Sequence, residues 1–475
     1  MINKNKKVIK SFIWKFAERA SIQVSKFIVQ LFLARILLPD EYGLVAIITV
    51  FISIADIVVQ SGLNTALVQR KNTENIDYST VLLASIALGI ISYFLLFLLS
   101  PYIAYWYGES QISLLLRILG VNLLIGSIYS VQIAYISKNL NFRANFISSL
   151  VATIISGMLG IIMAILGFGI WAMIVQQIIN QLISVLILCF YTKKIFLIKF
   201  SLERLKILFS YGWKVMISSI IATLTENMYN ATLGKLYDIR TVGYYNRGHQ
   251  FPTVLCSSAN ATITSVFLPV MASEQDEKEQ VKYITRKGVQ NTCFFIFPMI
   301  CGLFAIAEPM VKVVLTDKWL PSVPFLRLEC LYYLTLPIIY VQGQATKAIG
   351  RSGIYLATET AKFALTIICI LLFKSINIYY LVAFRILISL VMLIIQVFIN
   401  KALINYQWNE IFSDIKKSLV SAIIMGIIVF FLQDLKAPEF FILIIQILSG
   451  TVIFIFMSII TKNQILQDAI KYFRR

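Results

Sequence analysis

Charged side chains along the first apolar segment are the residues whose spacing most directly indicates chemistry. Five polar side chains share one helical face because they lie 4, 4, 3 and 4 residues apart: Lys15, Arg19, Gln23, Lys26 and Gln30. A Lys or Arg at the centre of a membrane helix costs about 2.5–3.5 kcal/mol to insert, so these side chains are expected to face a water-filled cavity. Because Lys and Arg bind phosphate and carboxylate groups, the stripe predicts a cationic binding cavity.

Part of this stripe has a simpler alternative. Lys15 lies near the inner end of the segment, where a long side chain can equally extend to the membrane surface. Glu18 is placed to neutralise Arg19. Arg19 and Lys26 lie deeper in the segment, and for them the cavity interpretation is favoured.

A second polar stripe lies on the seventh apolar segment. Ser219, Thr223, Glu226 and Asn230 are spaced by 4, 3 and 4 residues, and Lys214 lies closer to the inner end. Glu226 either pairs with a base of the cavity or binds a coupling cation or proton. The stripe is the counterpart, in this segment, of the polar face on the first one.

Two isolated charges complete the set of candidate residues. Asp56 lies in the middle of the second apolar segment and Arg385 near the middle of the twelfth, and we expect each to have a partner across the helix bundle. The predicted substrate-binding residues of the cationic cavity are Lys15, Arg19, Lys26, Lys214 and Arg385. The predicted coupling or ion-pair residues are Glu18, Asp56 and Glu226.

Long apolar segments must position these residues. The chain has 475 residues, of which 59% are hydrophobic and 14% charged, whereas soluble domains have about 45–50% apolar and 25% charged residues. About 20 apolar residues span a bilayer as a helix, and a barrel would show shorter, alternating segments. We predict an all-α integral membrane protein with about 14 transmembrane helices, near residues 12–37, 43–68, 79–107, 112–137, 146–168, 169–191, 211–235, 250–272, 289–315, 325–346, 353–373, 376–400, 418–433 and 440–461.

Positive charge sets the predicted orientation. With the N-terminus inside, Lys and Arg concentrate in segments predicted to be cytoplasmic, such as 193–206, 278–287 and 401–417. Both termini are therefore predicted to be cytoplasmic, in a multi-pass protein of the bacterial cytoplasmic (inner) membrane. The same distribution explains the formal net charge of +19 without a nucleic-acid partner.

An internal repeat divides the predicted helices into two lobes. Trp14 precedes Gly43 by 29 residues, and Trp213 precedes Gly243 by 30. Each lobe would have six helices, so the lobes are parallel and related by a pseudo-two-fold axis along the membrane normal. The predicted organisation is an N-lobe at 1–192, a cytoplasmic amphipathic linker at 193–210, a C-lobe at 211–400, an interfacial elbow at 401–417, and a C-terminal helix pair with a basic tail at 418–475.

Several classes of activity lack the residues that they need. His249 is the only histidine, and the 6 cysteines lie in apolar segments without a C-x-x-C pair, which argues against a metal site or a His-based catalytic set. No P-loop is present, so transport powered by ATP bound to this chain is not expected. We predict no enzyme activity, no cofactor, no metal and no ATPase subunit.

Seven segments spread along the chain carry a family resemblance: LPDEYGLVAIITVF at 38–51, SGLNTALVQRKN at 61–72, LNFRANF at 140–146, GFGIWAMIVQQ at 167–177, TVGYYNRG at 241–248, LTDKWLP at 315–321 and KAIGRSG at 347–353. With these segments the chain resembles the polysaccharide transporter (Wzx-type oligosaccharide/O-antigen flippase) family of the multidrug/oligosaccharidyl-lipid/polysaccharide flippase superfamily. Within that family it looks most like the branch that exports colanic-acid or teichuronic-acid units.

This resemblance implies a fold, a substrate and a mechanism. The expected fold has two six-helix lobes that work by alternating access, and the expected substrate is an undecaprenyl-pyrophosphate-linked oligosaccharide. The resemblance also implies roles for Arg19, Lys26 and Lys214 in the cavity. Coupling to H⁺, Na⁺ or the membrane potential is implied as well, and the choice among them stays open.

Three functions are compatible with these residues. The favoured one is a flippase that moves the lipid-linked oligosaccharide from the inner to the outer leaflet for capsule, exopolysaccharide, O-antigen (lipopolysaccharide) or wall-polymer synthesis, with a polymerase and glycosyltransferases as further partners. A drug/cation antiporter of the same superfamily would favour acids over bases in its cavity. A non-transporting membrane scaffold of a polysaccharide-assembly complex would use the buried charges only as ion pairs.

Overall fold

The structure is a computed structural model that describes residues 23, 25–60, 62–70, 73–139, 141–192, 199–373, 377–435 and 437–467. Within these ranges the chain is helical and contains no strand, which confirms the prediction of an all-α protein. Helices are numbered in chain order, and α1 is the helix described over 25–36. The next helices are α2 (Pro39–Gln60), α3 (Leu63–Gln69), α4 (Asn75–Tyr107), α5 (Gln111–Leu119), α6 (Val121–Lys138), α7 (Phe142–Ile165), α8 (Ile170–Tyr191) and α9 (Leu202–Leu236).

The second half of the chain continues in the same way. Its helices are α10 (Ile239–Ser273), α11 (Lys278–Ala305), α12 (Ala307–Val314), α13 (Val323–Ala348), α14 (Ser352–Phe373), α15 (Ile378–Ile404), α16 (Trp408–Phe431) and α17 (Glu439–Ile460). Short 3₁₀ turns at Asp317–Ser322 and Leu432–Asp434 precede α13 and α17. In the first half, Gly62 (φ 65°) separates α2 from α3 and Gly108 (φ 77°) ends α4, because glycine adopts such left-handed angles at little cost.

Eleven helical stretches of the described part are long and apolar enough to cross a membrane. They correspond to all the predicted spans except those near 12–37, 211–235 and 250–272. The first of these lies largely outside the described residues. The other two form α9 and α10, which are helical but more polar than the rest, so the count of 14 spans stays a prediction.

Exposed apolar side chains fit a membrane environment. On α17, Phe441, Leu448, Val452 and Phe456 are 58%, 63%, 66% and 60% exposed. An apolar face of this length would drive association in water, whereas in a bilayer it contacts lipid tails. Together with the apolar helices, this surface identifies a multi-pass membrane protein.

The two segments predicted as interfacial elements are continuous with the spans that follow them. Helix α9 begins at Leu202, where the Ser201 hydroxyl accepts a hydrogen bond from the Arg204 N–H, and runs for 35 residues. Helix α16 begins at Trp408, where Gln407 and Glu410 form a reciprocal capping box. Because both helix starts are capped before the apolar part, the amphipathic residues from Leu202 and from Trp408 onward are the first part of a longer helix.

The chain divides into two compact units, residues 1–243 and 244–475. In the first unit, α7 packs against α8, α4 against α5 and α6, and α2 against α9. In the second, α11 packs against α13 and α16, α13 against α15, and α16 against α17. The repeat assigns α9 to the predicted C-lobe, whereas its packing against α2 groups it with the first unit, so the lobe boundaries and their symmetry stay predictions.

Candidate functional site

The predicted cationic stripe of the first segment is only partly described. Lys15, Glu18 and Arg19 lie outside the described residues. Lys26 lies on α1 with an exposed side chain. Lys214 lies in α9, but its side chain does not belong to the part of the chain that the structure describes. The cavity that these residues would line therefore stays a prediction.

Glu226, the acid of the second polar stripe, projects from α9 with an exposed side chain. Among the described residues it has no ion-pair partner within 4.0 Å. Neither of its two predicted roles is decided by this position. Because the carboxylate of Glu226 is exposed, a cation, a proton or a base of the cavity can reach it.

Asp56 lies in a polar cluster within the first unit. Its Oδ2 accepts a hydrogen bond from Gln60 Nε2 at 2.7 Å, and Gln60 Oε1 accepts one from Asn64 Nδ2 at 3.2 Å. A methyl group on Gly126 of α6 would lie 3.1 Å from Asp56 Oδ1 and 2.8 Å from Gln181 Nε2 of α8, so the glycine lets both side chains approach α6. Within the described ranges Asp56 therefore meets amide groups and no cation.

Arg385 is part of a buried ion cluster in the second unit. Its Nη1 donates hydrogen bonds to Glu329 Oε1 at 2.6 Å and to the Tyr245 hydroxyl at 2.8 Å. The Glu329 side chain is fully buried and that of Arg385 is 10% exposed. The Arg385 guanidinium also lies over the ring of Tyr332, 4.3 Å from its centroid. The partner across the bundle that burial requires is therefore Glu329 on α13.

His249 joins the same cluster from α10. Its Nδ1 lies 2.9 Å from Glu329 Oε2, and its Nε2 lies 3.1 Å from the hydroxyl of Thr253. That hydroxyl also lies 2.8 Å from the hydroxyl of Tyr333. Sequence reasoning treated His249 as a lone residue with nothing to build on. The available signal was the spacing of Tyr245, His249 and Thr253, which places them on one helical face.

A second buried carboxylate lies at the start of α4. Asp77 Oδ1 accepts hydrogen bonds from Arg70 Nη1 at 3.2 Å and from Arg204 Nη1 at 3.1 Å, and its side chain is fully buried. Arg204 also pairs with Glu74 at 2.9 Å. The hydrogen bond to Asp77 raises the pKa of the Arg204 guanidinium above its usual range. The ion pairs of Arg204 with Asp77 and Glu74 connect the first turn of α9 to the start of α4.

The second unit has an equivalent cluster with the charges exchanged. Here the bases lie on α11 and the acids on the first turns of α16. Arg286 binds Asp414 through Nε at 2.9 Å and Nη2 at 2.8 Å, and Lys282 binds Glu410 at 2.9 Å. The Tyr406 hydroxyl adds a hydrogen bond to Asp414 at 2.8 Å. A cavity of about 140 Å³ opens beside Arg286 and Asp414, between α11, α16 and residues 463–465.

Helices α2 and α10 cross with their backbones in direct contact. A Cβ atom on Gly43 would overlap the carbonyl oxygen of Ile239, and a Cβ atom on Gly243 would overlap that of Pro39. Next to this crossing, Arg240 Nε pairs with Asp40 Oδ2 at 3.1 Å. The two glycines are the same ones that the internal repeat places in corresponding positions.

Comparisons with known proteins agree on one kind of protein. The family model "Polysaccharide biosynthesis protein" matches residues 32–324. The succinoglycan biosynthesis transport protein ExoT of Rhizobium meliloti (strain 1021) is 25% identical over 69% of this chain and 66% of its own length. The teichuronic acid biosynthesis protein TuaB of Bacillus subtilis (strain 168) is 25% identical over 63% of this chain and 62% of its own. In both cases less than two thirds of the relative's length is matched.

A solved structure shares the fold over nearly the whole chain. It is the lipid II flippase MurJ in an inward closed conformation, which superposes with a TM-score of 0.75. The match covers 96% of this chain and 100% of that one. Since the sequence identity is 16%, the likeness shows a common fold and leaves the substrate open.

Proposed function

The chain belongs to the polysaccharide biosynthesis protein family, in agreement with the resemblance seen in the sequence, and from this premise we propose that it is a flippase for a lipid-linked oligosaccharide. The observation that carries the proposal is the combination of this family match with a MurJ-like fold over 96% of the chain. Matched relatives are named for succinoglycan transport and teichuronic acid biosynthesis, and the solved neighbour is named as a lipid flippase.

We further propose the substrate and the direction of transport. The substrate is an undecaprenyl-pyrophosphate-linked oligosaccharide that moves from the inner to the outer leaflet of the cytoplasmic membrane. Both chain termini lie in the cytoplasm in this proposal, as the distribution of Lys and Arg predicts. The sugar head crosses in a wet cavity, while the lipid tail stays in contact with the bilayer.

In this mechanism, bases on α1 and α9 bind the pyrophosphate. Lys26 is exposed on α1, which suits contact with a ligand, and Lys15, Arg19 and Lys214 complete the proposed set. Arg385 has a weaker claim to this role because its charge is already paired with Glu329. A ligand phosphate would have to compete with that buried carboxylate for the same guanidinium.

Access to the cavity would alternate through the crossing of α2 and α10. In the predicted topology, Gly43 and Gly243 lie at the outer ends of these helices. The Arg240–Asp40 ion pair beside this crossing is exposed, and an exposed ion pair contributes little to holding two helices together. We propose that this crossing opens when the oligosaccharide leaves on the outer side.

The decisive experiment follows lipid-linked sugar in cells that lack this protein and any related flippase. If the protein is the flippase, sugar-loaded lipid accumulates on the inner side, and the wild-type gene clears it and restores export of the polymer. Normal export in the deletion strain would contradict the proposal. Normal lipid levels with a changed drug-sensitivity profile would instead favour a drug/cation antiporter, and an export defect that cavity variants do not reproduce would favour a scaffold.

A further inference from the structure

The cluster around His249 has the composition of a site that can hold one extra proton. Arg385 and Glu329 cancel each other's charge at 2.6 Å, so the pair is neutral as it stands. His249 also contacts this pair directly, and imidazole is the side chain that proteins most often use to bind and release a proton. Its side chain is 21% exposed, whereas that of Glu329 is fully buried, so a proton reaches the cluster through the imidazole.

Both ring nitrogens of His249 face an oxygen that can accept a hydrogen bond. Nδ1 faces Glu329 Oε2 at 2.9 Å, and Nε2 faces Thr253 Oγ1 at 3.1 Å. The Thr253 hydroxyl donates its own proton to the His249 carbonyl at 2.7 Å, which leaves its oxygen free to accept. The doubly protonated imidazolium therefore finds an acceptor for each N–H.

The neutral imidazole fits the same positions after one change. Nδ1–H continues to donate to Glu329, and the Thr253 hydroxyl turns its proton from the His249 carbonyl to Nε2. The hydroxyl of Tyr333, 2.8 Å from that of Thr253, can donate or accept in either arrangement. A site that holds both forms with the exchange of one hydrogen bond is suited to reversible proton binding.

Protonation would put two cations beside one carboxylate. Nδ1 of His249 lies 3.3 Å from Arg385 Nη1, with Glu329 between their charges. Among the described residues, two phenols also face the imidazole: Tyr245, stacked at 5.8 Å, and Tyr333 at 6.0 Å between ring centroids. An added positive charge in so buried a cluster weakens the hold of Glu329 on Arg385, and this contact joins α13 to α15.

We propose that His249 is a proton-binding site that makes the rate of transport depend on proton loading, an inference that rests on the proposed flippase function. A proton from water adds to the free electron pair of Nε2, and no other covalent bond changes. The protonated imidazole binds Glu329 more strongly and weakens the hold of Glu329 on Arg385, so protonation favours the α10–α13 contact over the α13–α15 contact, and the conformational equilibrium of the second unit depends on proton loading. Release of the proton restores the neutral cluster.

The first test measures proton binding alone and does not need transport. Because His249 is the only histidine of the chain, ¹⁵N-histidine labelling of the full-length protein, purified in lipid nanodiscs with a histidine-free tag, gives the signals of one imidazole. We expect both ring nitrogens to convert reversibly between the neutral and the doubly protonated form as the pH falls. Thr253→Val, which removes the acceptor for Nε2, should weaken proton binding. A ring that keeps one form over the range from about pH 5 to about pH 8 overturns the proposal.

The second test measures transport with lipid-linked oligosaccharide extracted from the deletion strain. His249→Gln keeps a donor for Glu329 and an acceptor for Thr253 but cannot bind a proton, and Gly353→Ala is a matched control with open space around the new methyl group. Because a single-proton equilibrium changes about tenfold per pH unit, wild type and control should show rates that vary severalfold between about pH 6 and about pH 8. The rate of His249→Gln should vary less than about twofold over that range.

The two proposals fail in different ways. If wild type and His249→Gln transport with the same pH profile, the proton site is refuted and the flippase function stands. If wild type moves no lipid-linked oligosaccharide although the ring of His249 titrates, the flippase function is refuted, and with it the role of proton loading in transport. If His249→Gln fails to fold, Thr253→Val replaces it, and an unchanged pH profile in that variant refutes the role of proton loading.

Discussion

Gly43 and Gly243 each lie against the backbone of the helix that carries the other. A Cβ atom on Gly43 would overlap the Ile239 carbonyl oxygen, and one on Gly243 would overlap that of Pro39 and lie 3.3 Å from the backbone nitrogen of Gly43. The contact is therefore reciprocal, and each helix needs its own glycine for it. Since neither glycine has an unusual φ angle, the requirement comes from close approach and not from backbone conformation.

Replacing either glycine by alanine should destabilise this crossing. The new methyl group meets backbone and not a flexible side chain, so the helices must separate, at a cost of about 1–3 kcal/mol. We expect Gly43→Ala and Gly243→Ala to lower the population of this conformation and the rate of export. A short thiol-specific cross-linker between cysteines placed at Asp40 and Arg240, which form an ion pair at 3.1 Å, measures that population.

Two comparisons make the result interpretable. Gly353→Ala adds the same methyl group where no atom lies within 4 Å, and its cross-linking yield should match that of wild type. In the glycine variants the yield should fall. An unchanged yield in both glycine variants would show that the crossing tolerates a Cβ atom and would remove the basis for treating it as a gate.

Two guanidinium groups share one buried carboxylate oxygen at the start of α4, and this predicts non-additive effects. Arg70→Gln or Arg204→Gln alone leaves Asp77 with one arginine, so each should cost about 1 kcal/mol of stability. The double variant leaves the fully buried charge of Asp77 without either arginine and should cost about 3–5 kcal/mol. Thermal unfolding of the purified protein measures these differences. Glu74→Gln, whose side chain is 67% exposed, is the control and should stay within about 1 kcal/mol of wild type.

Most of the fold followed from local properties of the sequence. Hydropathy depends on consecutive residues, so each of the eleven apolar helical stretches of the described part overlaps a predicted span, although Lys278–Ala305 and Trp408–Asp434 begin about ten residues before the predicted starts. The continuity of α9 was not predicted. It depends on the cap at Ser201 and on the pairing of Arg204 with Asp77, which lies 127 positions earlier in the chain. Such a tertiary contact leaves no periodic signal in the sequence.

For the candidate site, the sequence predicted that a buried charge needs a partner but did not identify the partner residue. The cost of a buried charge indicated that Arg385 needs a partner, but the sequence could not choose Glu329, which is 56 residues away on another helix. His249 was set aside because a single histidine forms no motif by itself. Its role depends on α13 and α15, which bring Glu329 and Arg385 to the polar face of α10.

Lys26 tests the cationic cavity within the described residues. Its side chain is exposed on α1, so Lys26→Ala should leave the unfolding midpoint almost unchanged. If Lys26 binds the pyrophosphate, the loss of one charged contact should slow export by about tenfold or more. Lys26→Arg keeps the charge and should retain most of the activity. Equal export by wild type and Lys26→Ala, at equal protein levels, would place Lys26 outside the substrate path.

The exchanged charges at the start of α16 predict an asymmetric response. Asp414 is 3% exposed and Arg286 is 34% exposed, so their requirements for a partner differ. Arg286→Gln leaves a buried carboxylate that keeps only the neutral donors Tyr406 and Gln290, and it should cost about 3 kcal/mol or more. Asp414→Asn leaves a guanidinium that can reach water and still contacts Glu410 at 3.2 Å, so it should cost about 1–2 kcal/mol.

The double variant of this pair shows whether the charges themselves cause the difference. With Arg286→Gln and Asp414→Asn combined, neutral amide groups face each other, and Tyr406 can still donate to the new side chain. The loss of stability should then be smaller than the sum of the single losses, by about 0.5–3 kcal/mol. Thermal unfolding of the four proteins measures this coupling. Additive losses would mean that Arg286 and Asp414 act independently, and that α16 is held to α11 by apolar packing and not by the ion pair.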